Sequence, residues 1–199
     1  MTHTAPRAEF RVFGQGIIAA LQPRLWNGKT LLLQARSMPT ETYVLSRHTR
    51  DANVKVRDDL LDIKLKVGET PEGYEIFQPS GKFQFPVSRE QLRAIAVHLR
   101  VTLPDESSTD IVTFDDFVAI AQRHPDLAPV TVTKTRWGFV IDDVTCEYAQ
   151  VFFNGAMVES ACVESTDHEA MRRVIAMLGL DTYPNTNYLR AAAVVVGLV

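Results

Sequence analysis

Cysteine is nearly missing from this chain. Cys146 and Cys162 are the only two in 199 residues, so a disulfide framework is not what makes it fold, and reduced thiols are the simpler state. Neither a C-x-x-C pair nor a His/Cys pattern with metal-ligand spacing is present. No segment approaches the ~18 consecutive apolar residues that span a bilayer, and the apolar tail from Ala191 to Val199 is too short. No early stretch joins a basic start, an apolar run and a small-residue cleavage site. The expectation is a soluble, cytoplasmic protein with no membrane partner. An excess of one charge is lacking too. With 21 Lys and Arg against 24 Asp and Glu, the net charge of -3 argues against coating extended nucleic acid through global charge, so any polyanion site must be local. A G-x-S-x-G elbow, a Walker-type loop and a dinucleotide fingerprint are all missing, which weakens the usual hydrolase and nucleotide-fold readings. The five histidines are scattered without partners for metal or nucleophilic chemistry, and His48, beside Arg47, is the one whose surroundings matter most.

Hydrophobic residues make up 46% of the chain, enough for a sizeable core, and residues 1–199 fit a single domain without internal repeats. Glu9 to Phe13 reads as a strand, followed by a short helix from Gln15 that ends or kinks near Pro23. The stretch from Asn27 to Pro39 is ambiguous. From Thr42 the period becomes two, through TYVLS, NVKVR and LDIKLKV, with Asp58-Asp59 where a tight turn belongs. Tyr74 to Gln78 and Phe83 to Phe85 read as further strands. Ser88 with Gln91 opens a helix to Leu99, and Thr113 with Asp116 opens another that stops before Pro125. The segment Leu103 to Asp110 reads as a surface loop. Strands resume from Val130 to Ile141 and on both sides of Asn154-Gly155. Thr166 with Glu169 caps a helix ended by Gly179, and a last helix runs from about Asn185 towards Val196. Strands, helices, strands, helices: this order is α+β with a large antiparallel sheet.

Two strand faces carry chemistry. With a two-residue turn at Asp58-Asp59, Arg57 lies opposite Leu60, Lys55 opposite Asp62 and Asn53 opposite Lys64. Lys55, Arg57, Lys64 and Lys66 then share one face, while Val54, Val56, Leu61, Ile63, Leu65 and Val67 form the other. The cationic face is either a solvated exterior whose lysines discourage sheet association, or the lining of a concave site where an anion separates like charges. Lys134 and Arg136 share a face of a later strand. In the Asn154-Gly155 hairpin, Phe153 opposite Ala156 sets Glu147 opposite Cys162 and Thr145 opposite Glu164. The two carboxylates become diagonal neighbours, either exposed or a foothold for Mg²⁺. The same register puts the two cysteines on opposite faces.

The order of these segments, KVR, IKLK, TKTRW, CEYAQV, ESACVES and the ending LGLDTYPNTNYL, resembles the CYTH or triphosphate tunnel metalloenzyme superfamily from about Glu9 to about Ala192. The resemblance implies a closed or nearly closed antiparallel β-barrel of about eight strands, a tunnel with flanking helices. It implies a small-molecule partner, a triphosphate, polyphosphate or nucleoside triphosphate, and phosphohydrolase chemistry with Mg²⁺ or Mn²⁺. By the same resemblance Lys55, Arg57, Lys66, Lys134 and Arg136 bind substrate, and Glu9, Glu147 and Glu164 bind metal. Departures are visible. Arg11 stands where a second carboxylate of the opening strand is usual, Ala149 where an aspartate is usual, and Cys162 in place of an acidic partner of Glu164. These replacements leave a non-catalytic polyanion-binding or regulatory module as the alternative.

Overall fold

The structure, a computed structural model, describes residues 6–25, 30–103 and 110–198, with the backbone alone for 31–34. Most of the expected surface loop, 104–109, and the first part of the ambiguous stretch, 27–29, lie outside the described residues. The elements run β1 (Ala8–Gly14), α1 (Ile17–Leu25), β2 (Leu31–Ser46), β3 (Thr49–Arg57), β4 (Leu60–Glu69), β5 (Glu75–Gln84), β6 (Val87–Ser88), α2 (Arg89–Leu99), β7 (Ile111–Val112), α3 (Phe114–Arg123), β8 (Leu127–Ile141), β9 (Val144–Phe153), β10 (Ala156–Ser165), α4 (His168–Leu178) and α5 (Tyr188–Val196). Eight strands close into an antiparallel ring in the order β1, β10, β9, β8, β2, β3, β4, β5, and a two-stranded piece, β6 with β7, stands beside it.

Tight turns fix the registers of the two hairpins read from the sequence. Asp58 and Asp59 both take positive φ, 51° and 57°, as do Asn154 and Gly155 at 48° and 87°; these are the values of a type I′ turn, whose twist matches antiparallel strands. Arg57 accordingly faces Leu60 and Lys55 faces Asp62, while Glu147 faces Cys162 and Thr145 faces Glu164. Both registers are the ones expected from the sequence.

Three details differ. The two short strands expected around Tyr74 and Phe83 are one strand, β5, running through Pro79. Pro79 pairs with Lys64 beside a register shift between Ile63 and Lys64, beyond the Glu75 and Ile76 that pair with β1, and such irregular positions are where strands accept proline. Val67, expected on the core face, is 54% exposed because the β4–β5 register shifts between Lys66 and Gly68. The cap of α4 is Asp167 rather than Thr166, with the Ala170 N–H donating to Asp167 Oδ1 at 2.9 Å. The ambiguous stretch resolves into the first half of the long strand β2, where Pro39 falls within a register shift between Met38 and Glu41; such irregularities are where strands accept proline.

Helices cover the outside of the ring in two groups. α1 and α4 pack on Phe10, Val12, Ala161 and Val163. α2 and α3 pack on Val54, Val56, Leu61 and Ile63. The third apolar cluster lies inside the ring. There α5, through Leu189, Ala191, Ala192 and Ala193, meets Tyr43, Leu45, Val130, Val132, Ala149, Val151 and Phe153, residues whose parity along β2, β8 and β9 is that of the inward face. The interior is therefore half filled by a helix and half left to polar side chains. Among the described residues no helix is long and apolar enough to cross a membrane.

Candidate functional site

The polar half of the ring encloses a cavity of about 410 Å³. Seven cationic side chains line it, Arg7, Arg11, Arg36, Lys55, Lys64, Lys134 and Arg136, against three carboxylates, Glu9, Glu147 and Glu164. Arg7, Arg36 and Lys64 are exposed and form the rim, whereas Arg11, Lys134 and Asn187 are buried and mark the depth. The start of α5, from Asn187 to Leu189, lines the cavity as well, so the helix that fills the other half also closes this one. Asn187 holds that closure: its side chain accepts from the Arg190 N–H at 3.0 Å, and its Nδ2 donates to both oxygens of buried Glu75, at 3.3 and 3.0 Å.

Behind the lining, one carboxylate gathers three cations. Glu41, 1% exposed, accepts from Lys55 Nζ at 2.9 Å and from Lys134 Nζ at 2.7 Å, with Arg57 Nη1 3.7 Å away. Burial alone would raise the Glu41 pKa, but Lys134 and Lys55 outweigh it and hold the carboxyl below its ordinary value. Lys134 moves the other way from an ordinary lysine. Burial lowers its pKa, Glu41 offsets this only in part, and Lys55 and Arg11 push the same way as burial. One carboxylate among several cations stays ionised, while the crowded cations remain short of negative charge.

Arg11 reaches along the cavity wall from β1, over β10, to β9. Its Nε donates to Glu9 Oε1 at 2.8 Å, and its Nη1 donates to Glu147 Oε1 at 3.3 Å and to Ser160 Oγ at 3.2 Å. The guanidinium lies 4.7 Å from the centre of the Tyr188 ring, a cation–π distance. Glu147 is engaged twice, because its Oε2 lies 3.1 Å from Arg136 Nη1. Among the described residues Glu164 has no such partner. Burial, then repulsion from Glu9, raises its pKa. Among the described residues three lining atoms are buried without a hydrogen-bond partner, Asn53 Oδ1, Arg136 Nε and Tyr188 OH; the last two can donate.

Neither a protein-family model nor a curated protein sequence matches this chain. Solved structures do. A candidate adenylyl cyclase from Hippeastrum, described as having a dominant triphosphatase activity, superposes with a TM-score of 0.51 at 10% identity, covering 96% of this chain and 95% of that one. The chain has the fold of the CYTH, or triphosphate tunnel, superfamily. A conserved hypothetical protein from Pyrococcus furiosus (TM-score 0.48, 16% identity, 92% and 98% covered) and a candidate adenylate cyclase from Bacillus halodurans (TM-score 0.46, 12% identity, 94% and 96% covered) are also similar.

Within this CYTH-like tunnel, six of the eight site residues expected from the sequence line one cavity: Lys55, Lys134, Arg136, Glu9, Glu147 and Glu164. Two do not. Arg57 is exposed and turns to Glu41, and Lys66 pairs with Glu75 at 3.1 Å and with Glu69. The divalent ion implied by the fold finds no ready set of donors. Among the described residues no group of three or more His, Cys, Asp or Glu side chains is placed to hold a metal, and Arg11 occupies oxygens of both Glu9 and Glu147. Burial pushes the Cys162 thiol well above its ordinary pKa, against the pull of Arg11, so it stays protonated and is a poor ligand. Ala149, where a carboxylate was expected, is fully buried in the apolar cluster with α5 and supplies no ligand. Cys146, pushed up to about 12 by burial, is inert. His48 forms a half-exposed pair with Asp126 at 3.1 Å, away from the cavity.

Sequence reasoning missed Glu41. Its alternation with Tyr43 and Leu45 sets it on the inward face, which was a usable signal. Asn187 and Tyr188 belong to the ending LGLDTYPNTNYL that carries part of the resemblance, but their place at the cavity had no signal in composition or spacing, because a helix start looks the same whether it closes a cavity or meets solvent.

Proposed function

We propose that the tunnel binds the oligophosphate of a small molecule: inorganic triphosphate, a polyphosphate end or a nucleoside triphosphate. The observation that carries this reading is the charge of the lining, seven cations against three carboxylates in a cavity of about 410 Å³. Low-dielectric walls strengthen the field of such a cluster. The unpartnered donors at Arg136 Nε and Tyr188 OH are suited to phosphate oxygens, and the start of α5 adds the positive end of a helix dipole. In this reading Lys55, Lys134 and Arg136 grip phosphate oxygens directly. Arg57 and Lys66 act at one remove, by holding Glu41 and Glu75. The rim of Arg7, Arg36 and Lys64 draws the anion in.

Isothermal titration with sodium tripolyphosphate tests the reading. Wild type is expected to bind, and Lys55→Met is expected to bind at least about tenfold more weakly, since charge-assisted hydrogen bonds are the strong ones. Equal affinity in the two proteins would remove the site.

The second reading is a Mg²⁺- or Mn²⁺-dependent phosphohydrolase with Glu9, Glu147 and Glu164 as metal ligands. The triphosphatase activity described for the Hippeastrum protein favours it. Phosphate release from tripolyphosphate, long-chain polyphosphate and ATP with either metal would support it; none with any pair would end it.

A further inference from the structure

We infer that the Arg11 guanidinium takes the place of the divalent ion in this tunnel, so that the cavity accepts its oligophosphate without a metal. The inference rests on the phosphate-binding reading above and concerns only what neutralises the carboxylate side of the same cavity. Three features of the geometry carry it. Arg11 is buried at 7% exposure, and its Nε and Nη1 reach carboxylates on two different strands, Glu9 at 2.8 Å and Glu147 at 3.3 Å. A guanidinium presents its donors in a fixed planar fork and stays charged at any accessible pH. It therefore bridges two carboxylates permanently, where a bound ion would have to be captured from solution.

The bridge is braced on its other sides. Ser160 Oγ accepts from Nη1 at 3.2 Å, and the Tyr188 ring lies 4.7 Å from the guanidinium carbon. The Arg11 backbone is anchored as well: its N–H donates to Asn185 Oδ1 at 3.0 Å and its carbonyl accepts from the Thr186 N–H at 2.7 Å. Both partners belong to the segment that leads into α5, so the arginine is fixed by the same piece of chain that closes the cavity. For a divalent ion to bind Glu9 and Glu147 together, Arg11 would have to leave while remaining buried and unpaired, which is strongly unfavourable. Arg136, on the far oxygen of Glu147 at 3.1 Å, blocks the approach from the opposite side.

The test separates the metal question from the anion question. Mn²⁺ binding is followed by the electron paramagnetic resonance signal of the free ion, with no phosphate present. Wild type is expected to show no site tighter than about 0.1 mM, and Arg11→Gln, which frees Glu9 and the Oε1 of Glu147 beside Glu164, to gain one at least about tenfold tighter than wild type. A wild-type site tighter than that limit, or a folded Arg11→Gln protein without a gained site, overturns the inference. If Arg11→Gln does not fold, the wild-type arm decides alone. Tripolyphosphate titration of wild type in EDTA and in Mn²⁺ is the companion measurement. Binding in EDTA within about threefold of the affinity in Mn²⁺ is expected, and binding that needs Mn²⁺ overturns the inference. Binding in neither condition would instead overturn the phosphate reading, leaving the role of Arg11 to be judged by the Mn²⁺ arms.

Discussion

Replacing the Glu41 carboxylate by an amide would leave Lys55 and Lys134 without the negative charge, and one of them without the oxygen, that holds them at 2.9 and 2.7 Å. The loss of one partner from a buried ion cluster costs about 3 to 5 kcal/mol, because the remaining charges stay desolvated and unpaired. Glu41→Gln is therefore expected to lower stability by that amount in urea unfolding, and tripolyphosphate to restore part of it by supplying the missing negative charge. An unchanged midpoint would show that Glu41 does not balance the lysines. Because the Glu41 pKa is lowered in the fold, its contribution is present above the ordinary carboxylate range and is lost as pH falls through the lowered value. The gap between wild type and Glu41→Gln should accordingly close below about pH 4. Lys134 gives a second pH dependence, in ligand binding. Its pKa is lowered, so the charge that grips phosphate is lost at a pH below the ordinary lysine value of about 10.4. Affinity for tripolyphosphate should decline early on the alkaline side, with proton uptake on binding; a flat profile up to that value would contradict this.

At the scale of elements, α5 decides how much of the tunnel remains open. Its small residues, Ala191, Ala192 and Ala193, let it sit inside the ring against Ala149 and Val151, and Ala149 is fully buried there. Placing a carboxylate there, by Ala149→Asp, is thus expected to destabilise the protein by about 1 to 3 kcal/mol through overpacking of a fully buried position, and to pair the new group with Arg136, its cross-strand neighbour, rather than to build a metal site. Thermal unfolding of that variant with and without Mn²⁺ checks the point: a wild-type midpoint, or a large rescue by Mn²⁺, would mean that α5 moves aside. The strands were legible because their information is local. Period-two alternation and two I′ turns determine which side chains share a face, so the Lys55 and Glu147 registers could be written down without coordinates. Pro39, Pro79 and Val67 were not legible, since each depends on where a neighbouring strand stops or slips.

For the whole molecule, a net charge of -3 conceals a cation-rich interior. The acidic excess lies outside the cavity lining, where cations outnumber carboxylates. A ligand that binds the folded state alone stabilises it by about 2.7 kcal/mol at a hundred times its dissociation constant. Tripolyphosphate should therefore raise the melting temperature in proportion to the logarithm of its concentration, and less so as salt screens the rim. Monophosphate, able to meet fewer of the lining cations, should do so weakly. Equal shifts from both anions would argue for non-specific charge screening instead of a shaped site.

Alone, the amino-acid sequence determined the α+β class, the antiparallel strands, their alternation and the cationic face of the first long hairpin, because each follows from interactions between residues near one another along the chain. Ring closure decided the rest. Glu41 meets Lys134 across 93 residues and Arg11 meets Glu147 across 136, and no local pattern records which opposite charges a closed sheet will bring within hydrogen-bond reach.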